Sequence, residues 1–275
     1  MRGVLAGIGV REMLGRGGTG SVIASFREAC YVEIGGAQVA LVAPGVHAGP
    51  IHLVLDEDPP RPQPGRPVRV GMGELIVDGT TIDVAGAADW CGSLPAAPAL
   101  IEHASTIAAV AASGARRSAL LAEPFAEPAA RARALLDDGR LEEAALILGG
   151  LGPGLTPSGD DALTGIVFGL RAVLGPAIEP FANRAWQEAC VGAFGRGVLA
   201  FAVRGQVLAP VHALVSAVVG GDAEEGRAAA RAVAAVGETS GADMLVGLGW
   251  ALSDDALSAV AASEGVETEP AASAR

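Results

Sequence analysis

Between residues 19 and 93, short apolar and β-branched runs alternate with turn-forming residues at a spacing that suits strands. The runs fall at 21–26, 29–34, 38–42, 51–55, 68–70, 74–77 and 81–84. Gly35-Gly36 and Asp78-Gly79 stand between neighbouring runs, as the two central residues of a tight hairpin do. Residues 59–67 contain five prolines, which cannot donate to a strand ladder, so this stretch reads as a loop. From residue 95 the pattern changes to Ala-rich segments of helical period, at 99–113, 129–137, 141–148, 160–174, 180–194, 210–219, 223–236 and 242–252. Strands first and helices afterwards predict an α+β fold. Its parts are a β-rich domain over 1–94, barrel- or sandwich-like, a helical domain over 95–264, and a frayed tail over 265–275.

Composition narrows the partners. A hydrophobic share of 51% with 18% charged residues supports well-packed layers. No uninterrupted apolar run reaches the roughly 20 residues of a bilayer span, and the first residues, with Arg2, Arg11, Glu12 and Arg16, lack a signal-peptide core. A soluble, cytoplasmic protein without a membrane partner is expected. The net charge of -12 and the 4% of aromatic residues argue against nucleic acid. The sequence contains no lysine, so its 19 cationic side chains are all arginine. This excludes a Schiff-base lysine, a pyridoxal phosphate anchor and a Walker-type ATP site. Cys30, Cys91 and Cys190 are odd in number and widely spaced, and buried free thiols are expected of them.

The densest chemistry lies in Gly149-Gly150-Leu151-Gly152-Pro153-Gly154-Leu155-Thr156-Pro157-Ser158-Gly159-Asp160-Asp161, which joins two helical segments. Gly150, Gly152, Gly154 and Gly159 permit positive φ and close approach of the backbone to a ligand, and free N–H groups at a helix start cradle anions. Thr156 with Pro157 suits a cap and first helical position, and Ser158 with Asp161 a capping box one step on. Capping alone needs one acceptor, whereas this start offers several. Ser158-Gly159-Asp160-Asp161-Ala162-Leu163-Thr164-Gly165 is echoed by Ser240-Gly241-Ala242-Asp243-Met244-Leu245-Val246-Gly247. Gly165 and Gly247, each one turn after an aspartate, would let the two helices approach closely, so the two starts are predicted to converge. Asp160, Asp161 and Asp243 are then the candidate catalytic acids. The candidate substrate-binding residues are Gly150, Gly152, Gly154, Thr156, Ser158, Gly159, Ser240, Gly241 and Arg204.

Carboxylates repel an anion set among them unless a cation or an N–H-bearing ligand intervenes. Mg2+ on Asp160 and Asp161 is one expectation, and a carbamoyl group, with an NH2 seeking acceptors and an oxygen seeking donors, is another. The sequence here resembles the AllH-like family, named after a subunit of bacterial oxamate carbamoyltransferase. The resemblance rests on residues 150–161, with support from Thr239-Ser240-Gly241-Ala242-Asp243 and from Gly49-Pro50. It implies transfer of a carbamoyl group between carbamoyl phosphate and a small amide acid such as oxamate, in nitrogen or purine (allantoin) catabolism, by several subunits together. One stretch departs from the family pattern: residues 204–212 carry no hydroxyl where relatives tend to have Thr and Ser.

The remaining candidates are weaker. His47 and His52 flank Gly49-Pro50 without an acidic companion at ligand spacing. His103 on an Ala-rich helix looks solvated, and His212 reads equally as a core imidazole or a base. Arg196 and Arg204 could contact an anion from a stretch, 192–205, whose glycines suggest flexibility. Gly15-Arg16-Gly17-Gly18-Thr19-Gly20 leads into a strand, the wrong context for a dinucleotide loop. Besides the transferase subunit, a non-catalytic assembly subunit and a Mg2+-dependent amidohydrolase fit the same residues.

Overall fold

The computed structural model describes residues 1–71, 73–189 and 191–265 and divides the chain into two compact units, Met1–Gly92 and the chain from Ser93 on. Of the tail expected to fray, all but Gly265 lies outside the described residues, as does Cys190.

The first unit is a mixed sheet around one helix. Its elements are β1 (Gly3–Gly7), α1 (Ile8–Arg16), β2 (Gly18–Ser25), β3 (Ala29–Ile34), β4 (Ala37–Val42), β5 (His52–Leu55), β6 (Pro67–Gly71), β7 (Glu74–Val77), β8 (Thr80–Asp83) and β9 (Ala88–Trp90). The order is β8-β7-β6-β2-β3-β4-β5-β1-β9, antiparallel except at β4–β5 and β1–β9. Asp83 at the end of β8 bridges Arg2 before β1, so the sheet curls into a half-barrel around Val10 and Met13 of α1. Both expected hairpins form, with positive φ at Gly35, Gly36, Asp78 and Gly79 as the right-handed strand twist demands. The pattern does not announce β1, α1 or β9; short edge elements take their form from pairing with neighbours, not from period. Cys30 is buried, but Cys91, expected to be buried, is exposed.

The second unit is helical: α2 (Ala97–Gly114), α3 (Ala126–Asp137), α4 (Leu141–Leu148), α5 (Ser158–Leu174), α6 (Glu179–Glu188), α7 (Ala193–Ala202), α8 (Ala209–Val219), α9 (Ala223–Ala234), α10 (Ser240–Ala251) and α11 (Asp254–Ser263). The expected helix over 180–194 is two helices. The chain is extended at Ala189, and Gly192 is the extended cap of α7. The stretch expected to be flexible is largely α7, which buries Phe194, Leu199 and Ala202. Residues 158–188, though interrupted by charged side chains, are long and apolar enough on average to cross a membrane, but 78% of their 18-residue apolar window is buried inside the protein. This is the profile of a core helix.

α5 and α10 form the axis of the unit. A Cβ on Gly165 would overlap the Met244 carbonyl oxygen, and one on Gly247 the Ala162 carbonyl oxygen. Further along, a Cβ on Gly169 would lie 3.0 Å from Ala251 Cβ. The contacts advance in step, so the two helices run parallel with their N-termini side by side. Gly159 packs in the same way against the Leu148 carbonyl at the end of α4, and Gly241 against the Val233 carbonyl near the end of α9. A helix, a loop and a second helix thus recur as α4–α5 and α9–α10.

Gly165→Ala and Gly247→Ala are each expected to lower stability by about 3 kcal/mol, because backbone and not a movable side chain must yield. Gly249→Ala on the same helix, where a Cβ meets only ordinary contacts, is expected to be neutral or stabilising by up to about 1 kcal/mol. Urea unfolding of the three variants measures the difference.

Candidate functional site

The two helix starts converge as their glycines predict, and neither is capped in the expected way. Pro157 is the N-cap of α5 and Thr239 that of α10, and no side chain caps either helix. By contrast, Asp222 caps α9 and Ser253 caps α11 through their side chains. The acids and hydroxyls at the first two starts therefore have other partners. Thr156 Oγ1 lies 3.1 Å from Ser240 Oγ, joining the loop of one repeat to the helix start of the other. Both hydroxyls stand close enough to the Asp161 carboxyl to favour its ionised form.

The three acids divide sharply. Asp160, 1% exposed, accepts the Gly150 N–H at Oδ1 (2.7 Å) and the Gly192 N–H at Oδ2 (2.9 Å). It ties the root of the Gly-rich loop to the start of α7, and Gly195 is needed because a Cβ there would lie 2.6 Å from Oδ2. Burial pushes the Asp160 carboxyl up, and the two amide hydrogens and Arg196 pull it back. Asp243, wholly buried, accepts Ser118 Oγ–H (2.5 Å) and Ala119 N–H (2.9 Å) at Oδ1 and so anchors the connection between α2 and α3. Asp161 is 7% exposed. Burial pushes its carboxyl well above the usual carboxylate range; the Ser240 and Thr156 bonds oppose this, and the charges of Asp243 and Asp160 reinforce it.

The expected clash between acids and an anion cradle is thereby eased without a cation. Two acids are answered by internal donors and the third is driven towards its neutral form. Each Asp160 oxygen already accepts one amide hydrogen, and among the described residues no group of three His, Cys, Asp or Glu gathers around a point.

Above the acids, the loop is open. Pro153, Gly154 and Leu155 are exposed, Gly152 and Thr156 half-buried, and Gly150, Gly152 and Gly154 all have positive φ. Among the described residues no protein acceptor takes the amide hydrogens of Gly152, Gly154, Leu155 or Thr156. The Gly150 hydrogen is already used by Asp160. Ser158, Gly159 and Gly241 are buried beneath, the two glycines as packing points. Ser240 is half-buried at the mouth.

Arg204 is not brought to this cluster. Gly192 and Gly195 at the start of α7 meet Asp160, whereas Gly205 past its end packs beside Arg171. Arg204 thus stands at the other end of α5, about 16 Å along the axis at 1.5 Å per residue, with its guanidinium over Phe201. Arg196 wraps the α6–α7 connection, donating to the carbonyls of Val191 and Ala189. His212 bonds the Ser93 carbonyl through Nδ1 and accepts the Val207 N–H at Nε2, and burial holds it below the usual histidine range, so it is a neutral core imidazole. His52 bonds the His47 carbonyl, and His103 the Ala99 carbonyl. Sequence reasoning missed Ser118, which no motif marks. It also missed the pairing of Gly152 with Gly237, both packed on the serine that opens the next helix. Three extra residues between glycine and serine in the first loop hide that correspondence.

Residues 148–252 match the model of the family described as oxamate carbamoyltransferase subunit AllH, the family that the loop sequence resembles. The matched span runs from the last residue of α4 past the end of α10 and takes in both helix starts. No curated protein and no solved structure matches the chain.

Asp160→Asn is expected to lower stability by about 2 kcal/mol, since the amide places an NH2 against a buried N–H. Asp161→Asn is expected to have the opposite sign. A carboxyl raised in the folded state carries no penalty below the ordinary Asp range and weakens the fold progressively as pH rises from there to its folded value. The stability gained by Asp161→Asn should therefore be absent in acid and grow towards neutral pH, which denaturant titrations at several pH values will measure.

Proposed function

We propose that this chain is a subunit of a carbamoyltransferase that acts on carbamoyl phosphate and a small amide acid of the oxamate kind. Its contribution to the substrate site is the loop 152–156 with the hydroxyls of Thr156 and Ser240. The observation that carries this reading is the hydroxyl pair itself. Two hydroxyls from separate repeats lie 3.1 Å apart where two helix N-termini meet, beside amide hydrogens that have no protein acceptor among the described residues and a buried acid. Amide hydrogens and helix ends suit phosphate and carboxylate oxygens, and hydroxyls can both donate and accept as charge moves from nitrogen to oxygen. The family match over 148–252 supports the reaction class and implies partner subunits. A second reading, a non-catalytic assembly subunit, draws on Asp160 and Asp243, whose hydrogen bonds serve internal packing.

The test is carbamoyl transfer to oxamate by the chain assembled with its partner subunits, together with calorimetric titration of carbamoyl phosphate into the chain. Ser240→Ala and Thr156→Val are expected to weaken binding or turnover about tenfold each, the loss for a hydrogen bond to a charged group. Wild-type rates and affinity in both variants would discard the substrate-site reading, and unchanged assembly beside them would favour the second one.

A further inference from the structure

Among the described residues of the helical unit, two carboxylate oxygens are buried and unpartnered, Asp161 Oδ2 and Asp243 Oδ2. They belong to equivalent positions of the two repeats, one turn before the glycines that press α5 and α10 together, and the charge of Asp243 acts on Asp161. Both ionised, they would set two negative charges in a buried region against the roughly half positive charge of each helix end. One proton on the pair restores the balance. The donors decide where it sits. Ala119 N–H cannot turn round, and Ser118 Oγ already accepts the Leu120 N–H at 3.1 Å, so its own hydrogen is directed to Asp243. The groups that act on Asp161 from the mouth are two hydroxyls joined to each other, either of which can rotate to accept.

We propose that Asp243 is a positioning residue: held as a carboxylate by Ser118 and Ala119, it keeps the proton on Asp161, and Asp161 exchanges that proton with the reacting groups through Ser240 and Thr156. This rests on the transferase reading for the use of the proton, though not for its location. In the transfer, the acceptor nitrogen forms a bond to the carbonyl carbon of carbamoyl phosphate, and the C–O bond breaks with its electron pair leaving on phosphate. The nitrogen sheds one proton and the phosphate gains one. Asp161 supplies the phosphate's proton through a hydroxyl and is reprotonated from the nitrogen by the same route, so the pair ends as it began.

The surrounding charges leave the pair to itself. Asp160 is the other acid that acts on Asp161, and it is answered by Arg196 of α7. On α2, His103 is bonded to Ala99 and Glu102 is exposed; on α8, His212 is bonded to Ser93. Arg116 and Arg117 before Ser118, Glu238 before α10, and Arg227 and Arg231 on α9 are exposed.

Infrared titration of the full chain, following the C=O stretch of a protonated carboxyl without substrate, tests the location. A buried acid that persists above the ordinary carboxylate range is expected, abolished by Asp161→Asn. Asp243→Asn is expected to lower its midpoint by at least one pH unit, a tenfold loss of proton affinity. Ser118→Ala, which strips a donor from Asp243 and spares its charge, is expected to raise the midpoint. A purely structural Asp243 predicts no shift in either variant, and that result, or no acid band assignable to Asp161, overturns the proposal. Should Asp243→Asn fail to fold, the direction of the Ser118→Ala shift decides. In the assembled enzyme, the pH profile of kcat should move with the infrared midpoint while KM changes little; kcat profiles indifferent to these shifts overturn the relay. A wild-type assembly with the infrared shifts intact but no transfer overturns the functional reading and leaves the shared proton standing.

Discussion

The helical unit depends on two parallel helices touching backbone to backbone at Gly165 and Gly247. Parallel helices set like ends of their dipoles together, an unfavourable arrangement unless negative charge lies near both N-termini. Asp160 and Asp243, one in the first turn of each helix, supply it. Close packing and buried acidity are therefore one design problem, and the same few residues solve both.

From that contact the rest of the site follows. Convergence brings Ser240 of one repeat over Asp161 of the other and next to Thr156. Asp160 fixes the loop root and the start of α7 with one carboxylate, and Asp243 does the same for the connection between α2 and α3. The loop tip stays open because its root, not its tip, is hydrogen-bonded. Rigid acids below and an uncommitted loop above are what a small polar ligand needs.

Much of this is legible in the sequence, and the limits have physical reasons. The α+β order, both hairpin turns and the converging Ser-Gly-x-Asp starts follow from local pattern and from glycines with one plausible use. The split of 180–194 into α6 and α7 does not, since it is imposed by Gly192 donating to an acid 32 residues away. Nor does the division of labour among the acids: two adjacent aspartates look alike in a string of letters, and only their distant partners separate them. Arg204 misleads because glycines near it suggest a nearby loop, while the intervening α7 carries it to the far end of α5.

The repeats are alike in framework and unlike in detail. The first has Asp160 where the second has Ala242, and a loop four residues longer. An ancestral duplication would explain this: a twofold core, once made, lets one copy keep the architecture while the other drifts. Innovation in relatives of this chain should then concentrate in the longer connection, leaving the short one nearly invariant.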